Sequence, residues 1–240
     1  MKTIIVIPSR YESTRFPGKP LAKIAGKSLI QRVWESSRQS RLADGVFVAT
    51  DDSRIAEHVT EFGGIAVMTS RDHACGTDRI AEAIRKIETS TELAEFVINV
   101  QGDEPLADME AIDGLIECLQ AGHSDVATLA CPLLSPTDLD NPDVVKVVAD
   151  RDDRALYFSR AAIPWSSPAI ARRHIGIYGF TRDALLAFSE LDPAPLEIAE
   201  RLEQLRLLQN GYTIRILETS SPHPGVDRPE DVARIEALLA

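Results

Sequence analysis

Apolar and polar positions along the first 130 residues follow two alternating periods. Short apolar runs at 3–8, 46–50, 65–68, 96–100 and 126–131 read as strands, while segments near 28–39, 53–62, 78–88 and 109–120 carry helical spacing. This βαβα alternation predicts an α/β fold built on a doubly wound, mostly parallel sheet. Beyond Asn141 the rhythm changes. VVKVVAD (144–150) and ALYF (155–158) read as strands, AIPW (162–165) breaks the pattern, and HIGIYGF (174–180) alternates again. Together they predict a small extension over 141–195 whose antiparallel pairing makes the sheet mixed, and which is the expected place of a homodimer surface. A long helix is expected at 196–209, stopped by Asn210-Gly211. A strand at 212–217 and a helix from Pro229 follow, and the whole of 1–240 reads as one domain without internal repeat or linker.

Charge sharpens the picture. The opening MKTIIVIPSRYESTRFPGKP runs a strand straight into a loop carrying Arg10, Arg15 and Lys19 beside Ser13, Thr14 and Gly18. Residues 1–27 hold six basic side chains against Glu12 alone, a local net of +5 on a chain of −11, leaving −16 elsewhere. A focused cationic loop at the carboxyl end of a first strand is where an open α/β sheet receives a polyanion, with backbone N–H groups around Tyr11 to Thr14 cradling phosphate. A nucleic-acid partner is not expected on the same ground, because a binder of long polyanions spreads basic charge over a face. A solvated Lys/Arg cluster is the alternative that the loop alone leaves open.

With 44% hydrophobic and 26% charged residues the composition is that of an ordinary globular protein. No apolar run approaches the roughly 18 residues of a membrane span, and the amino terminus enters a strand, so a cytoplasmic protein without membrane insertion is expected. Cys75, Cys118 and Cys131 are odd in number and widely spaced, which speaks against a disulfide framework or a zinc site.

Three motifs carry the candidate chemistry once one decoy is set aside. Gly26-Lys27-Ser28 imitates the end of a Walker A loop, but Leu21 stands where that motif needs its first glycine. NVQGDEP (99–105) ends the fourth strand with two acids. Asp103 there is a candidate ligand for Mg²⁺, which takes one or two carboxylates plus water and phosphate oxygens, and Gln101 is placed to reach a ligand hydroxyl or base; a plain Gly-Asp turn is the alternative. In DHACGTDR (72–79), a small-residue turn at Ala74, Cys75 and Gly76 permits close approach to a planar base. Thr77 is the expected N-cap, and Arg79 lies within reach of ribose or phosphate. In GVDRPED (225–231), Asp227 reads by itself as the start of the last helix.

With these residues laid out, the chain resembles the 3-deoxy-manno-octulosonate cytidylyltransferases, also called CMP-Kdo synthetases. The match is carried by IPSRYESTRFPGKPL, HACGTDR, NVQGDEP, NPDVVKVV, ALYFSRAAIPW, HIGIYGF, LEIAERLEQLRLL and GVDRPED, in order from residue 7 to residue 231. The resemblance implies a Rossmann-like nucleotidyltransferase fold and a Mg²⁺-dependent transfer of CMP from CTP to a Kdo-type sugar acid. It implies that Arg10, Arg15 and Lys19 hold the triphosphate, that Ala74, Cys75, Gly76 and Arg79 surround the nucleoside, and that Asp103 and Asp227 bind metal. Arg160, His174, Tyr178, Glu203 and Gln204 would surround the sugar acid. A strand aromatic, a satisfied histidine, a solvent-facing glutamine and a Glu203–Arg206 helix pair are the structural alternatives for the last four. Two departures stand out. Cys75 replaces the serine of the family's H-x-S-G-T, and the connection from Trp165 to His174 is shorter than in well-known members.

Overall fold

The computed structural model describes residues 2–13, 15–88, 93–165, 167 and 170–239. β1 (Thr3–Ser9) is the hub: its Ile4 to Ile7 are almost wholly enclosed. A 3-10 turn (Lys19–Leu21) and a hairpin of β2 (Lys23–Ile24) and β3 (Lys27–Ser28) lead into α1 (Leu29–Ser37), whose first turn is capped by the Ser28 hydroxyl accepting from Gln31 N. The Walker-like Gly26-Lys27-Ser28 is therefore a hairpin turn, with Ala25 and Gly26 both at positive φ. β4 (Gly45–Thr50), α2 (Ser53–Glu61), β5 (Ile65–Met68), α3 (Gly76–Ile87), β6 (Phe96–Asn99), α4 (Met109–Gln120) and β7 (Val126–Pro132) complete the predicted alternation. β1 pairs in parallel with β4 and β6, and β4 with β5.

Strand periodicity explains the two-sided winding. Ile5, Ile7 and Ile98 point to one face, against Leu29, Ile30 and Val33 of α1, Ile55 and Val59 of α2, and Ile112, Leu115 and Ile116 of α4. Ile4, Val6 and Val97 point to the other, against Ile80, Ile84 and Ile87 of α3.

The second half builds on this sheet. β8 (Lys146–Ala149) and β9 (Ala155–Ser159) form an antiparallel pair, and β8 also pairs with the first residues of β10 (Arg172–Thr181). β10 then inserts antiparallel between β6 and β7 and is followed by α5 (Arg182–Phe188), a helix that the apolar pattern had not suggested. Its register on β7 shifts between Ile175 and Tyr178, and the Thr128 hydroxyl fills the irregularity by meeting Ile175 O and Ile177 O. α6 (Pro195–Glu200), α7 (Gln204–Gln209), β11 (Ile214–Glu218), parallel to β7, and α8 (Asp231–Leu239) close the chain.

The single helix expected over 196–209 is corrected to two short ones. Arg201 adopts the left-handed conformation (φ 55°, ψ 48°) and Leu202 sinks into the core, so the axis breaks between α6 and α7. Arg206 staples the pieces by donating twice to Glu197, at 2.6 and 2.8 Å. The expected stop holds, with Asn210 as C-cap and Gly211 at φ 81°.

Candidate functional site

The carboxyl ends of β1 and β6 open into a first cavity of about 250 Å³, lined by the cationic loop, the 73–76 turn, the 101–103 loop and Asp227. Gly102 lies so close to β1 that a Cβ there would stand 2.7 Å from Pro8 O, a clash with backbone that only glycine avoids. Across this opening, Lys19 Nζ donates to Asp103 Oδ2 (2.7 Å) and to Val226 O (2.9 Å), and lies 4.0 Å from Asp227 Oδ1. Arg15 meets Asp227 from the other side at 3.2 Å. Two carboxylates 124 positions apart in sequence thus converge on one ammonium. Asp227 also sits in a helix-initiating turn, its N–H and that of Arg228 both donating to Asp231 Oδ2, so the start-of-helix reading and the convergence hold together.

The loop is braced from behind. Tyr11 O accepts from Gly18 N, the Tyr11 ring carries the Arg54 guanidinium 3.4 Å from its centroid, and Arg54 grips Asp52 through two side-chain bonds. Ser13 lines the cavity and accepts from Phe16 N, while Thr14 lies outside the described residues. Arg10 lines both this cavity and the next.

On the opposite wall, α3 starts at Gly76, which corrects the expectation for Thr77. Cys75 is the N-cap residue, without a side-chain cap bond, and Thr77 instead sends its hydroxyl to Glu203 Oε1 at 2.8 Å. The Cys75 thiol donates to Asp78 Oδ2 (3.1 Å), and burial, followed by the nearby Glu203 charge, pushes its pKa far up, so it stays protonated. Ala74, Cys75 and Gly76 all line the cavity. Arg79 also borders it, but its guanidinium is buried and committed to Thr69, Ser70 O and Asp51 (2.7, 3.0 and 2.9 Å); it fixes the wall from within.

A second cavity, about 530 Å³, adjoins the first at Arg10, Gly76 and Gln101. The helix break delivers Glu203 and Gln204 to it, β10 delivers His174 and Tyr178, and the end of β9 delivers Arg160. Burial dominates here. It lowers His174 to about 3, so the ring is neutral, with Nε2 on the Thr128 hydroxyl (3.1 Å) and its edge on Phe158. Burial raises the Glu203 carboxyl, and burial, then the Glu203 charge, raises Tyr178 well above its ordinary value. Tyr178 Oη and Gln204 Nε2 are enclosed with no hydrogen-bond partner among the described residues, an arrangement that costs about 1–3 kcal/mol per group unless a ligand completes it. Arg160 is held by Glu200 O (3.0 Å) and Pro142 O (2.9 Å), and Gln101 Nε2 by Gly176 O (3.1 Å). The Glu203–Arg206 side-chain pair that stood as the structural alternative for Glu203 is absent among the described residues, because Arg206 serves Glu197 and Asp78.

Sequence reasoning missed Arg173, Arg201 and Asp143, which also line the second cavity, and the half-buried Glu104 beside the buried His223 (3.6 Å) next to Asp103. Arg201 leaves no trace in apolar periodicity, since a break inside a good helical pattern is decided by packing. The lone lysine in VVKVV was a visible signal.

The donor set suits a hard divalent cation. Asp103 and Asp227 already share one cationic group, and Mg²⁺ needs only one or two carboxylates besides water and phosphate. No cluster of three or more acidic, histidine or cysteine ligands occurs among the described residues.

Comparison with known proteins agrees with this geometry. Residues 4–216 match a family model described as Cytidylyltransferase. The chain is 50% identical over 252 residues to a 3-deoxy-manno-octulosonate cytidylyltransferase of Syntrophotalea carbinolica, covering 100% of this chain and 99% of that one. It is 48% identical over 247 residues to the protein of the same name from Syntrophobacter fumaroxidans, covering 100% and 98%. Among solved structures, a CMP:2-keto-3-deoxy-manno-octonic acid synthetase complexed with CTP superposes with a TM-score of 0.93 at 42% identity, covering 100% of this chain and 98% of that one. A 4-diphosphocytidyl-2C-methyl-D-erythritol synthase from Anaerococcus prevotii, 13% identical with a TM-score of 0.66 over 99% of this chain and 96% of that one, shares the fold.

Proposed function

The chain belongs to the 3-deoxy-manno-octulosonate cytidylyltransferase family, and from that premise we infer that it transfers CMP from CTP to Kdo, giving CMP-Kdo and pyrophosphate. The product is the activated sugar for lipopolysaccharide assembly. The observation that carries the assignment of sites is the adjacency of two unlike cavities joined at Arg10, Gly76 and Gln101, one where Lys19 and Arg15 meet the Asp103 and Asp227 carboxylates and one where arginines stand beside the enclosed Tyr178, Glu203 and Gln204.

The first cavity takes CTP. Arg10, Arg15 and Lys19 face the triphosphate and offset the charge that collects on the departing pyrophosphate, with Ser13 and Thr14 in the same loop. Ala74, Cys75 and Gly76 approach the base through backbone, since the Cys75 thiol is turned to Asp78. The second cavity takes the sugar acid: Arg160 suits its carboxylate, and Tyr178, Gln204, His174, Glu203 and Gln101 suit its hydroxyls. Neutral His174 accepts or donates one bond without adding charge. The anomeric oxygen attacks the α-phosphorus in line and pyrophosphate leaves, and no covalent bond to the protein is formed.

Asp103 and Asp227 are the residues that would hold Mg²⁺. The ion's chemistry there would be to lower the pKa of the attacking hydroxyl and to neutralise phosphate oxygens. Support comes from the oxygen donors and their convergence on a cation. The exposed Leu156, Trp165 and Ile170 support a homodimer formed through the extension. A cytoplasmic location follows from the need for CTP. None of the described helices is long and apolar enough to cross a membrane.

Pyrophosphate release with CTP is the test, with Kdo, 8-amino-Kdo and a sialic acid compared as acceptors. Preference for Kdo and loss of turnover on chelation, restored by added Mg²⁺, are the expected results. Turnover unchanged by chelation would remove the metal from the reaction. Light scattering of the eluted protein at twice the mass of one chain would support the dimer, and a single-chain mass would oppose it.

A further inference from the structure

The third residue of VVKVV is a lysine with no exposed surface, placed on β8 between apolar neighbours. Lys146 Nζ donates to Asn141 O (2.9 Å), Val144 O (2.7 Å) and Arg160 O (2.6 Å), so each of its three protons has an acceptor. No carboxylate of the described residues lies in ion-pair contact with it; Asp138, Asp140 and Glu200 act on it only from a distance. Enclosing an ammonium is unfavourable, and a leucine or methionine would fill the same space without that penalty. Packing by itself therefore does not account for the residue.

Its three acceptors do. They come from two separate segments, the 141–144 turn and the end of β9, and both border the second cavity through Asp143, Val144 and Arg160. Arg160 adds a strand to the same knot by donating to Pro142 O. Two cations thus tie one turn to one strand end by four backbone carbonyls, and the charge of Lys146 is met by dipoles and not by an acid.

We propose that Lys146 is a positioning residue for the acceptor. By gathering the carbonyls of Asn141, Val144 and Arg160 it sets the Asp143–Val144 wall and the Arg160 guanidinium against a carboxylate-bearing sugar, and its charge favours that carboxylate. This rests on the reading that the second cavity takes the sugar acid.

The experiment is steady-state kinetics of Lys146→Met with Kdo and CTP varied in turn, beside Arg160→Ala and a thermal unfolding scan. For Lys146→Met the KM for Kdo should rise about tenfold or more while that for CTP stays within about twofold. Lys146→Arg, which keeps the charge but redistributes the bonds, should show the same split at smaller size, and it replaces the methionine variant if that protein does not fold. A rise in both KM values together, or in neither, overturns the proposal. If Arg160→Ala raises the KM for Kdo and the Lys146 variants do not, only the role of Lys146 falls. If Arg160→Ala leaves that KM unchanged, the sugar-acid reading of the cavity falls and the proposal with it.

Discussion

The two cavities share a wall at Gly76 and Gln101 but manage charge in opposite ways. In the first, Arg15, Lys19, Asp103 and Asp227 are paired with one another and keep contact with water, with 53% of the Arg15 side chain and 56% of the Asp227 side chain exposed. In the second, burial suppresses ionisation: His174 is held neutral, while Glu203 and Tyr178 are pushed up. On the proposed assignment of CTP to the first cavity and the sugar acid to the second, the difference follows from the ligands. A triphosphate arrives and pyrophosphate leaves with its charge, so the groups that meet them must exchange partners at little cost. A sugar's hydroxyls are recognised by direction, and direction is best held by side chains locked in a dry wall.

Removing a charge from the first cavity breaks this contrast most severely. Asp103→Asn should lower turnover by about 10²–10³-fold without moving the unfolding midpoint, because the carboxylate is partly exposed and supports little of the core. Near-normal pyrophosphate release would take Asp103 out of the mechanism. Lys19→Ala should raise the KM for CTP by about 10–100-fold and leave the KM for Kdo almost unchanged. Equal shifts in both would mean that the ammonium serves the fold and not the nucleotide.

The second cavity is sharpened by pH. His174 titrates near 3 in the folded chain and near 6.5 when unfolded, so between those values the unfolded chain binds more protons. Its contribution to stability is therefore complete above about pH 6.5 and is lost as pH falls towards 3. Denaturant unfolding at pH 7 and pH 4 should differ by about 2 kcal/mol on this account, discounted from the full shift because the ring keeps some solvent contact. His174→Gln should flatten that dependence, and an unchanged slope would show that the ring is not the group responsible. The smallest effect is expected at the shared wall, where Cys75→Ser should leave kcat/KM for CTP within about threefold, as the position works through its backbone. A tenfold change would show that the side chain reads the base.

The first cavity was far more legible in the sequence than the second, and the reason is chain locality. Arg10, Arg15 and Lys19 lie on one loop after one strand, so the topology of an open parallel sheet places them together. His174, Glu203 and Arg160 meet only because β10 inserts antiparallel between β6 and β7 and because Arg201 breaks the expected helix. Neither event has a signature in apolar period. Glu203 reaching Thr77 across the fold is a packing outcome, and so is the burial of Gln204, whose helical position suggested a solvent face. Asp227 was legible only through resemblance, since its own neighbourhood describes a helix start as well as a site.

The ammonium of Lys19 gives the resting enzyme a counterion that cannot diffuse away. Asp103 and Asp227 are neutralised by a group on the same chain, whose local concentration stays fixed however dilute the protein. Any free cation must compete with that tethered one, and a polyanion that draws Lys19 aside tips the competition. On the proposed reading of Asp103 and Asp227 as metal-binding acids, they would be released by the arrival of the very molecule on which they are to act.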